Sequence, residues 1–166
     1  MKRNAIVPSF IICILFATVH CATKPATAGA TNSNNTVEPT SSRFVEDILD
    51  NLNQYRHSKG LTPLTMNNVI SAAAEKHSKD MASGRVAFGH DGFESRIQQI
   101  SAQLGAARQS AENVALGNLS AQQVVSNWIN SPGHRQNIEG NFTLTGIGVA
   151  KNSKGVTYFT QIFIRN

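Results

Sequence analysis

Cysteine is scarce in this sequence, and most of the chain has none. The two cysteines, Cys13 and Cys21, both lie near the amino terminus. The residues after Cys21 therefore cannot form an internal disulfide, and a domain built from them must be stabilised by its core alone. This lack of cysteine points to a bacterial source. The glycosylation sequons at Asn34, Asn118 and Asn141 would then be unused.

The hydrophobic run near the amino terminus is too short to span a membrane as a helix. It covers residues 10–17 and follows the basic residues Lys2 and Arg3. A basic start, a short apolar run and then small polar residues are typical of a secretory signal. A buried amino-terminal helix is the alternative, but nothing around the run is amphipathic. We predict a signal peptide over residues 1–21 and a secreted, extracellular protein with no transmembrane span after processing.

The end of the signal leaves two alternatives at Cys21. Cleavage after Cys21 places Val19 and Cys21 where a signal peptidase prefers small residues. The other alternative is a lipid anchor on Cys21, as in bacterial lipoproteins, although His20 is large and polar for that motif. We expect ordinary secretion.

Clustered positive charge is also missing. The net charge is +5, but the arginines are scattered and no aromatic residues alternate with them. Because nucleic-acid binding needs a clustered basic stripe, we expect no nucleic-acid partner.

Residues 22–42 contain little that could be buried. They have no aromatic residue, and Val37 is their only large aliphatic residue. Such a segment cannot bury enough apolar surface to offset the entropy lost on ordering. We predict a flexible linker over residues 22–42 and one domain over residues 43–166, a length that suits a single core.

Helical periodicity begins at Arg43 and gives way to strand patterns near the carboxyl terminus. The predicted helices cover residues 43–60, 67–84, 93–104 and 120–130, and the predicted strands cover residues 146–149 and 156–164. Ser120 and Gln123 form a capping box at the fourth helix, whose apolar face carries Trp128. The pattern predicts an α+β domain with helices packed around a small antiparallel sheet.

Two histidines in glycine-containing segments are candidate functional residues. His90 lies in FGHDG and His134 in SPGHR, and both segments are predicted to be loops. Loops with rigid flanks often carry functional sites, and imidazole is the commonest protein ligand for metals. By contrast, we expect His57 on the solvated surface and His77 packed inside a helix.

Glu112 lies between these histidines in the sequence, among small apolar residues. Burial of its charge is costly unless the carboxylate is paired or hydrogen-bonded. Glu112 therefore either has a structural partner, such as backbone amides or an arginine, or faces a polar cleft. The residues alone slightly favour the structural role.

An ordered set of motifs resembles the CAP superfamily of cysteine-rich secretory, antigen 5 and pathogenesis-related proteins, in its bacterial form. The motifs are NxxR at 53–56, GLxPL at 60–64, HxxDM at 77–81, GH at 89–90, AENVA at 111–115, WINSPGHRQNI at 128–138, GxGV at 146–149 and YxTQxF at 158–163. The resemblance implies an α–β–α sandwich with a cleft formed by two histidines and two acidic residues, where some members bind a divalent ion.

The resemblance also implies roles for individual residues. His90 and His134 correspond to the two histidines and Glu112 to the first acid, while Ser131 stands where many members have the second acid. We expect these four residues and Asn113 to line a binding cleft. A divalent metal such as zinc is the predicted cofactor, with His90, Glu112 and His134 as its ligands.

For function, the resemblance implies a non-enzymatic extracellular binding module. Its predicted partners are a lipid, sterol or other small ligand, or a cell-surface or host protein. The alternative is a metal-dependent hydrolase, a peptidase or esterase, that uses the same cleft. Hydrolysis needs a general base, and only Asp91 and Glu94 lie near the motifs as spare carboxylates. We therefore expect binding rather than catalysis, with a vestigial cleft as a third alternative.

Overall fold

The computed structural model describes residues 39–166, which form five helices and a four-stranded sheet. The helices are α1 (Pro39–Ser58), α2 (Asn68–Ala82), α3 (Phe93–Leu104), α4 (Ala121–Asn130) and α5 (Pro132–Ile138). The strands are β1 (Thr65–Met66), β2 (Gln109–Leu116), β3 (Leu144–Lys151) and β4 (Thr157–Arg165). The predicted α+β class is confirmed.

The amino-terminal predictions fall mostly outside this part of the chain. Residues 1–38, with the predicted signal peptide and Cys21, lie outside the described residues. α1 begins at Pro39, inside the segment 22–42 that the sequence assigns to a linker. Within residues 39–166, no helix combines the length and apolar character needed to cross a membrane.

Local capping signals explain the helices that the sequence predicts well. The side chain of Asn67 accepts hydrogen bonds from the backbone N–H groups of Val69 and Ile70 at the start of α2. Both bonds of the Ser120–Gln123 capping box are present at the start of α4. These helices therefore begin where their caps predict.

The sheet has the order β1-β3-β4-β2. The predicted carboxyl-terminal hairpin is confirmed as the antiparallel pair of β3 and β4. β2 pairs antiparallel with the other edge of β4, and β1 pairs parallel with β3. The sheet is therefore mixed rather than antiparallel throughout, since the two-residue β1 is too short to give a strand pattern in the sequence.

Two hydrophobic cores cover the two faces of the sheet. Phe159 and Phe163 of β4 pack on the face covered by α1 and α4, together with Trp128, which is 1% exposed as predicted. Ile162 and Ile164 pack on the opposite face, against α2 and α3. Alternation along β4 thus produces the α–β–α arrangement.

Glycines let α2 lie directly on β3. A Cβ atom at Gly146 would lie 2.2 Å from the backbone nitrogen of Ser71, and one at Gly148 would lie 2.2 Å from the carbonyl carbon of Ala74. Ser78 Oγ of α2 also donates a hydrogen bond to the Gly148 carbonyl at 3.0 Å and lies 2.8 Å from the Thr160 hydroxyl, from which it can accept one. This close contact fixes the position of α2, and with it the position of His77.

Arg56 of α1 holds the segment that follows α5. Its side chain is buried and donates hydrogen bonds to the carbonyl oxygens of Ile138, Gly140 and Phe142. Burial lowers the pKa of Arg56 from its ordinary value. These bonds connect the carboxyl end of α5 to the first core, and α5 carries His134.

Candidate functional site

Glu112 is the buried carboxylate of the candidate site. Its side chain is 2% exposed and points from β2 toward the face covered by α2 and α3. Arg96 of α3 binds both carboxylate oxygens, with Nη2–Oε1 at 2.7 Å and Nε–Oε2 at 2.9 Å. Such a bidentate pair is a strong form of ion pair, and it compensates the burial of the charge. The sequence left two roles open for Glu112, a structural pair or a position facing a polar cleft. The contact with Arg96 supports the structural pair.

His90 contacts the same carboxylate. Its Nδ1 lies 3.0 Å from Glu112 Oε1, and its side chain is 52% exposed. Because an ionised carboxylate only accepts hydrogen bonds, Nδ1 carries the proton. In the neutral ring Nε2 is then the nitrogen with a free lone pair.

Two further side chains hold the loop that carries His90. His77 Nε2 lies 2.9 Å from the carbonyl oxygen of Gly89, and Arg96 Nη1 lies 2.7 Å from that of Asp91. His77 is buried, as expected for a packed histidine, and its Nε2 is 3.9 Å from Glu112 Oε1. Its contact with the carbonyl shows that it supports the loop.

Asn113 links the same strand to α5 on the opposite face of the sheet. It is fully buried, and its Nδ2 donates to the backbone oxygen of His134 at 3.2 Å. Asn137 of α5 donates to Asn113 Oδ1 at 2.8 Å and to the carbonyl oxygen of Glu112 at 3.2 Å. These bonds fasten α5 to the outer edge of β2.

His134 lies in α5 and not in a loop, which corrects the expectation from the sequence. Pro132 occupies the first turn of this short helix, where its fixed φ favours a helix start rather than a stop. Ser131 caps the helix without a side-chain hydrogen bond. His134 is therefore half-buried in this seven-residue helix, next to β2, the strand that carries the AENVA motif.

The pKa of His134 is influenced by burial and by the charge of His90. The pKa of His134 is lowered from its ordinary value, first by burial and then by the charge of His90. His90 and Glu112 are in direct contact, while the backbone of His134 in α5 is bonded to Asn113, the neighbour of Glu112 in β2. His134 is neutral at pH 7, the state in which an imidazole can bind a metal.

Comparison with known sequences identifies the family to which this domain is related. The profile of the cysteine-rich secretory protein family, CAP, matches residues 49–163. The chain belongs to the CAP family.

The sequence relatives are bacterial. The chain is 31% identical over 143 residues to the uncharacterized Bacillus subtilis protein YkwD, and the match covers 84% of this chain and 54% of that protein. It is 28% identical over 125 residues to the uncharacterized Bacillus subtilis membrane protein YlbC, covering 72% of this chain and 34% of that protein. The chain thus spans about half the length, or less, of these CAP relatives.

Solved structures share the CAP fold. An extracellular protein with an SCP domain from Bacillus anthracis gives a TM-score of 0.63 at 26% identity, covering 80% of this chain and 45% of that one. An outer surface protein of Borrelia burgdorferi gives a TM-score of 0.62 at 19% identity, covering 80% of this chain and 96% of that one.

The three predicted metal ligands of this CAP domain differ in their contacts: His90 and Glu112 touch each other, whereas His134 lies in α5. Within residues 39–166, no group of three His, Cys, Asp or Glu side chains is arranged to hold a metal ion. Glu112 Oε1 contacts Arg96 and His90, and Glu112 Oε2 contacts Arg96. The carboxylate is thus better placed to orient His90 than to bind an ion itself.

Three residues that support the site, Arg96, Asn137 and His77, were not predicted from the sequence to do so. Arg96 lies on the half-exposed face of α3, and Asn137 lies in a helix that the sequence does not predict. His77 is predicted only as a packed residue. Two motifs connect two of them to the site: HxxDM at residues 77–81 contains His77, and WINSPGHRQNI at residues 128–138 contains Asn137.

Proposed function

We propose that this chain is an extracellular CAP-domain binding module in which His90 and His134 bind a divalent metal ion such as zinc. The observation that carries the proposal is the contact of His90 Nδ1 with Glu112, which leaves Nε2 available. Metal-binding histidines commonly donate their other ring N–H to a carboxylate in this way, which fixes the ring and its tautomer. The lowered pKa of His134 supports the proposal because its imidazole is neutral at pH 7.

The ligand set predicts a weak and open metal site. Zinc sites with an open position usually have three protein ligands, whereas this cleft offers two imidazoles. Ser131 at the position of the second acid supplies no carboxylate. Water or a bound ligand would complete the coordination, so the ion would serve to capture a ligand rather than to stabilise the fold.

Exposed apolar side chains beside His90 favour an apolar or lipid-like ligand. Phe88 is 48% exposed and Leu116 is 44% exposed. The ring of Phe88 lies 6.4 Å from the ring of Tyr158, which is paired with Leu116 across the sheet. Exposed apolar side chains grouped in this way often mark binding sites. A ligand with one polar atom at the metal and an apolar body on this surface would fit.

The contacts of Glu112 disfavour the hydrolase alternative. A general base needs a lone pair that can take a proton from water. Both oxygens of Glu112 already accept hydrogen bonds from Arg96, so the carboxylate is engaged with the guanidinium rather than free to accept a proton from a water molecule. We therefore expect binding without turnover of esters or peptides.

Calorimetric titration of zinc into the metal-free chain tests this proposal. Loss of the outer partner in Glu112→Gln should weaken binding by about 10- to 100-fold, and His90→Ala or His134→Ala should weaken it further. His57→Ala is the control because His57 is exposed at the end of α1. Circular dichroism at the titration temperature verifies that each variant is folded. If the His90 and His134 variants bind zinc like the control, the proposal is wrong.

A further inference from the structure

Among the described residues, the outer edge of β3 has no strand partner beyond Thr145, where Val149 is half-buried and Ile147 is 3% exposed. β1 pairs only with Leu144 and Thr145 of β3. The carbonyl of Thr145 accepts a hydrogen bond from Asn67 N at 2.9 Å, so it points toward the outer edge. Because backbone direction alternates along a strand, Ile147 and Val149 direct their N–H and C=O groups the same way. Within residues 39–166, no strand or other backbone group pairs with these two residues.

A groove of about 540 Å³ runs along this edge between α1 and α2. Val45 and Leu49 of α1 and Ala72 of α2 form its apolar walls, and Ile147 and Val149 form its floor. We call this the β3 groove. Its shape combines an unpaired strand edge with apolar walls on both sides, which suits an extended peptide better than a compact ligand.

The charge of the β3 groove indicates what kind of peptide it takes. Glu46 and Glu75 are its charged lining residues, and no lysine or arginine lines it, although the chain has a net charge of +5. Glu75 pairs with the exposed Lys79, whereas Glu46 accepts a hydrogen bond from Ser42. Two carboxylates at the groove repel a fatty-acid carboxylate or a phosphate and attract lysine or arginine.

We propose that the β3 groove binds an extended, basic segment of a partner protein, which adds to the sheet as a further strand beside β3. The backbone groups of Ile147 and Val149 pair with the segment. Its apolar side chains lie between α1 and α2, and its basic side chains reach Glu46 and Glu75. This interface is separate from the histidine cleft, so it does not depend on metal binding.

Amide hydrogen exchange of the full chain, followed by NMR, tests the pairing. The probe is the capped peptide Thr-Val-Lys-Val-Thr-Val-Thr. In the free chain we expect faster exchange at the half-buried Val149, whose N–H is unpaired within the described residues, than at Gly148, whose N–H points toward β4 and serves as the internal control. Saturating peptide should slow exchange at Val149 by at least about tenfold, the effect of one added hydrogen bond. Unchanged exchange at Ile147 and Val149 would overturn the proposal.

Modified peptides and charge variants test the specificity. Fluorescence anisotropy of the labelled peptide should show dissociation constants raised at least about tenfold by N-methylation of the pairing amides or by Glu in place of Lys. The double variant Glu46→Lys/Glu75→Lys should weaken binding similarly, whereas Glu94→Lys, an exposed change on α3, should not. Equal affinity of the N-methylated peptide or of the Glu peptide would contradict strand addition by a basic segment.

Two other occupants would also overturn the proposal. If Ile147 and Val149 are protected in the free chain and lose protection when residues 22–38 are replaced by a Gly-Ser segment of equal length, the chain covers its own groove. If their protection instead rises with protein concentration, a second copy of the chain occupies it.

Discussion

Glu112 and Asn113 are neighbours in β2, and their side chains point to opposite faces of the sheet. Glu112 contacts Arg96 and His90 on one face, while Asn113 holds the backbone of His134 on the other. Since β2 is an edge strand, both histidines approach it without crossing another strand. Two consecutive residues of β2 thereby contact His90 on one face and the backbone of His134 on the other.

Breaking the pair of Glu112 and Arg96 should destabilise the domain strongly. Glu112→Gln leaves the largely buried guanidinium of Arg96 without its counter-charge, and removal of one partner of a buried pair costs about 3–5 kcal/mol in the free energy of unfolding. Urea denaturation measures this loss. The double variant Glu112→Gln/Arg96→Gln should lose clearly less than the two single losses added together. Simple additivity would mean that the two side chains are not coupled.

The pKa of His134 should lie below its ordinary value in the metal-free domain and rise when His90 is replaced. Burial is the larger cause of the lowering and remains in His90→Ala, so the rise should be partial. Because the unfolded chain takes up this proton at a higher pH than the folded chain, stability should fall as the pH drops below about 6.5. NMR titration of the histidine rings gives the pKa of His134 in the original chain and in His90→Ala, and the value in the variant should be the higher one. An unchanged pKa in His90→Ala would show that the two rings do not interact.

At the level of single residues, the sequence motifs identify the candidate site residues but not the arginine that pairs with Glu112. His90, Glu112 and His134 stand in short motifs, so local sequence is enough to single them out. The arginine that meets Glu112 is one of several scattered along the chain. Only the packing of α3 against the sheet selects Arg96, and no local pattern encodes that contact.

Among the elements, the helices with local caps were predictable and the two missed strands were not. α4 begins after its Ser120 cap as predicted, whereas β2 has no alternating pattern because its buried face includes Glu112 and its other face includes the buried Asn113. The side chains of Asn137 and Trp128 bond the outward carbonyls of Glu112 and Val114. This protected edge is stabilised by distant residues, so it leaves no local signal.

The contact of α2 with β3 should not tolerate a side chain at Gly148. In Gly148→Ala the added methyl group would meet the backbone of α2 near Ala74, and backbone cannot give way as a flexible side chain can. We expect a loss of about 1–3 kcal/mol in the free energy of unfolding, measured by urea denaturation. Gly133→Ala in α5 is the matched control because nothing lies within 4 Å of its added Cβ atom. It should be neutral or stabilising by up to about 1 kcal/mol.

At the scale of the whole described domain, the two cores share one sheet. β4 contributes Phe159 and Phe163 to one core and Ile162 and Ile164 to the other. Loss of packing on either face would therefore disturb the strand on which the other core depends. Cysteine adds nothing to this coupling, since both cysteines precede residue 22.

The domain should therefore unfold in a single transition that does not respond to reducing agent. Trp128 is the only tryptophan and reports on the first core, while the methyl groups of Ile162 and Ile164 report on the second by NMR. Both probes should give the same urea midpoint, as two-state unfolding requires. Adding a thiol reductant should leave that midpoint unchanged because no disulfide can form after Cys21. A lower midpoint for the isoleucine methyls would mean that α2 and α3 detach first, and the supports of His90 would then be lost before the rest of the fold.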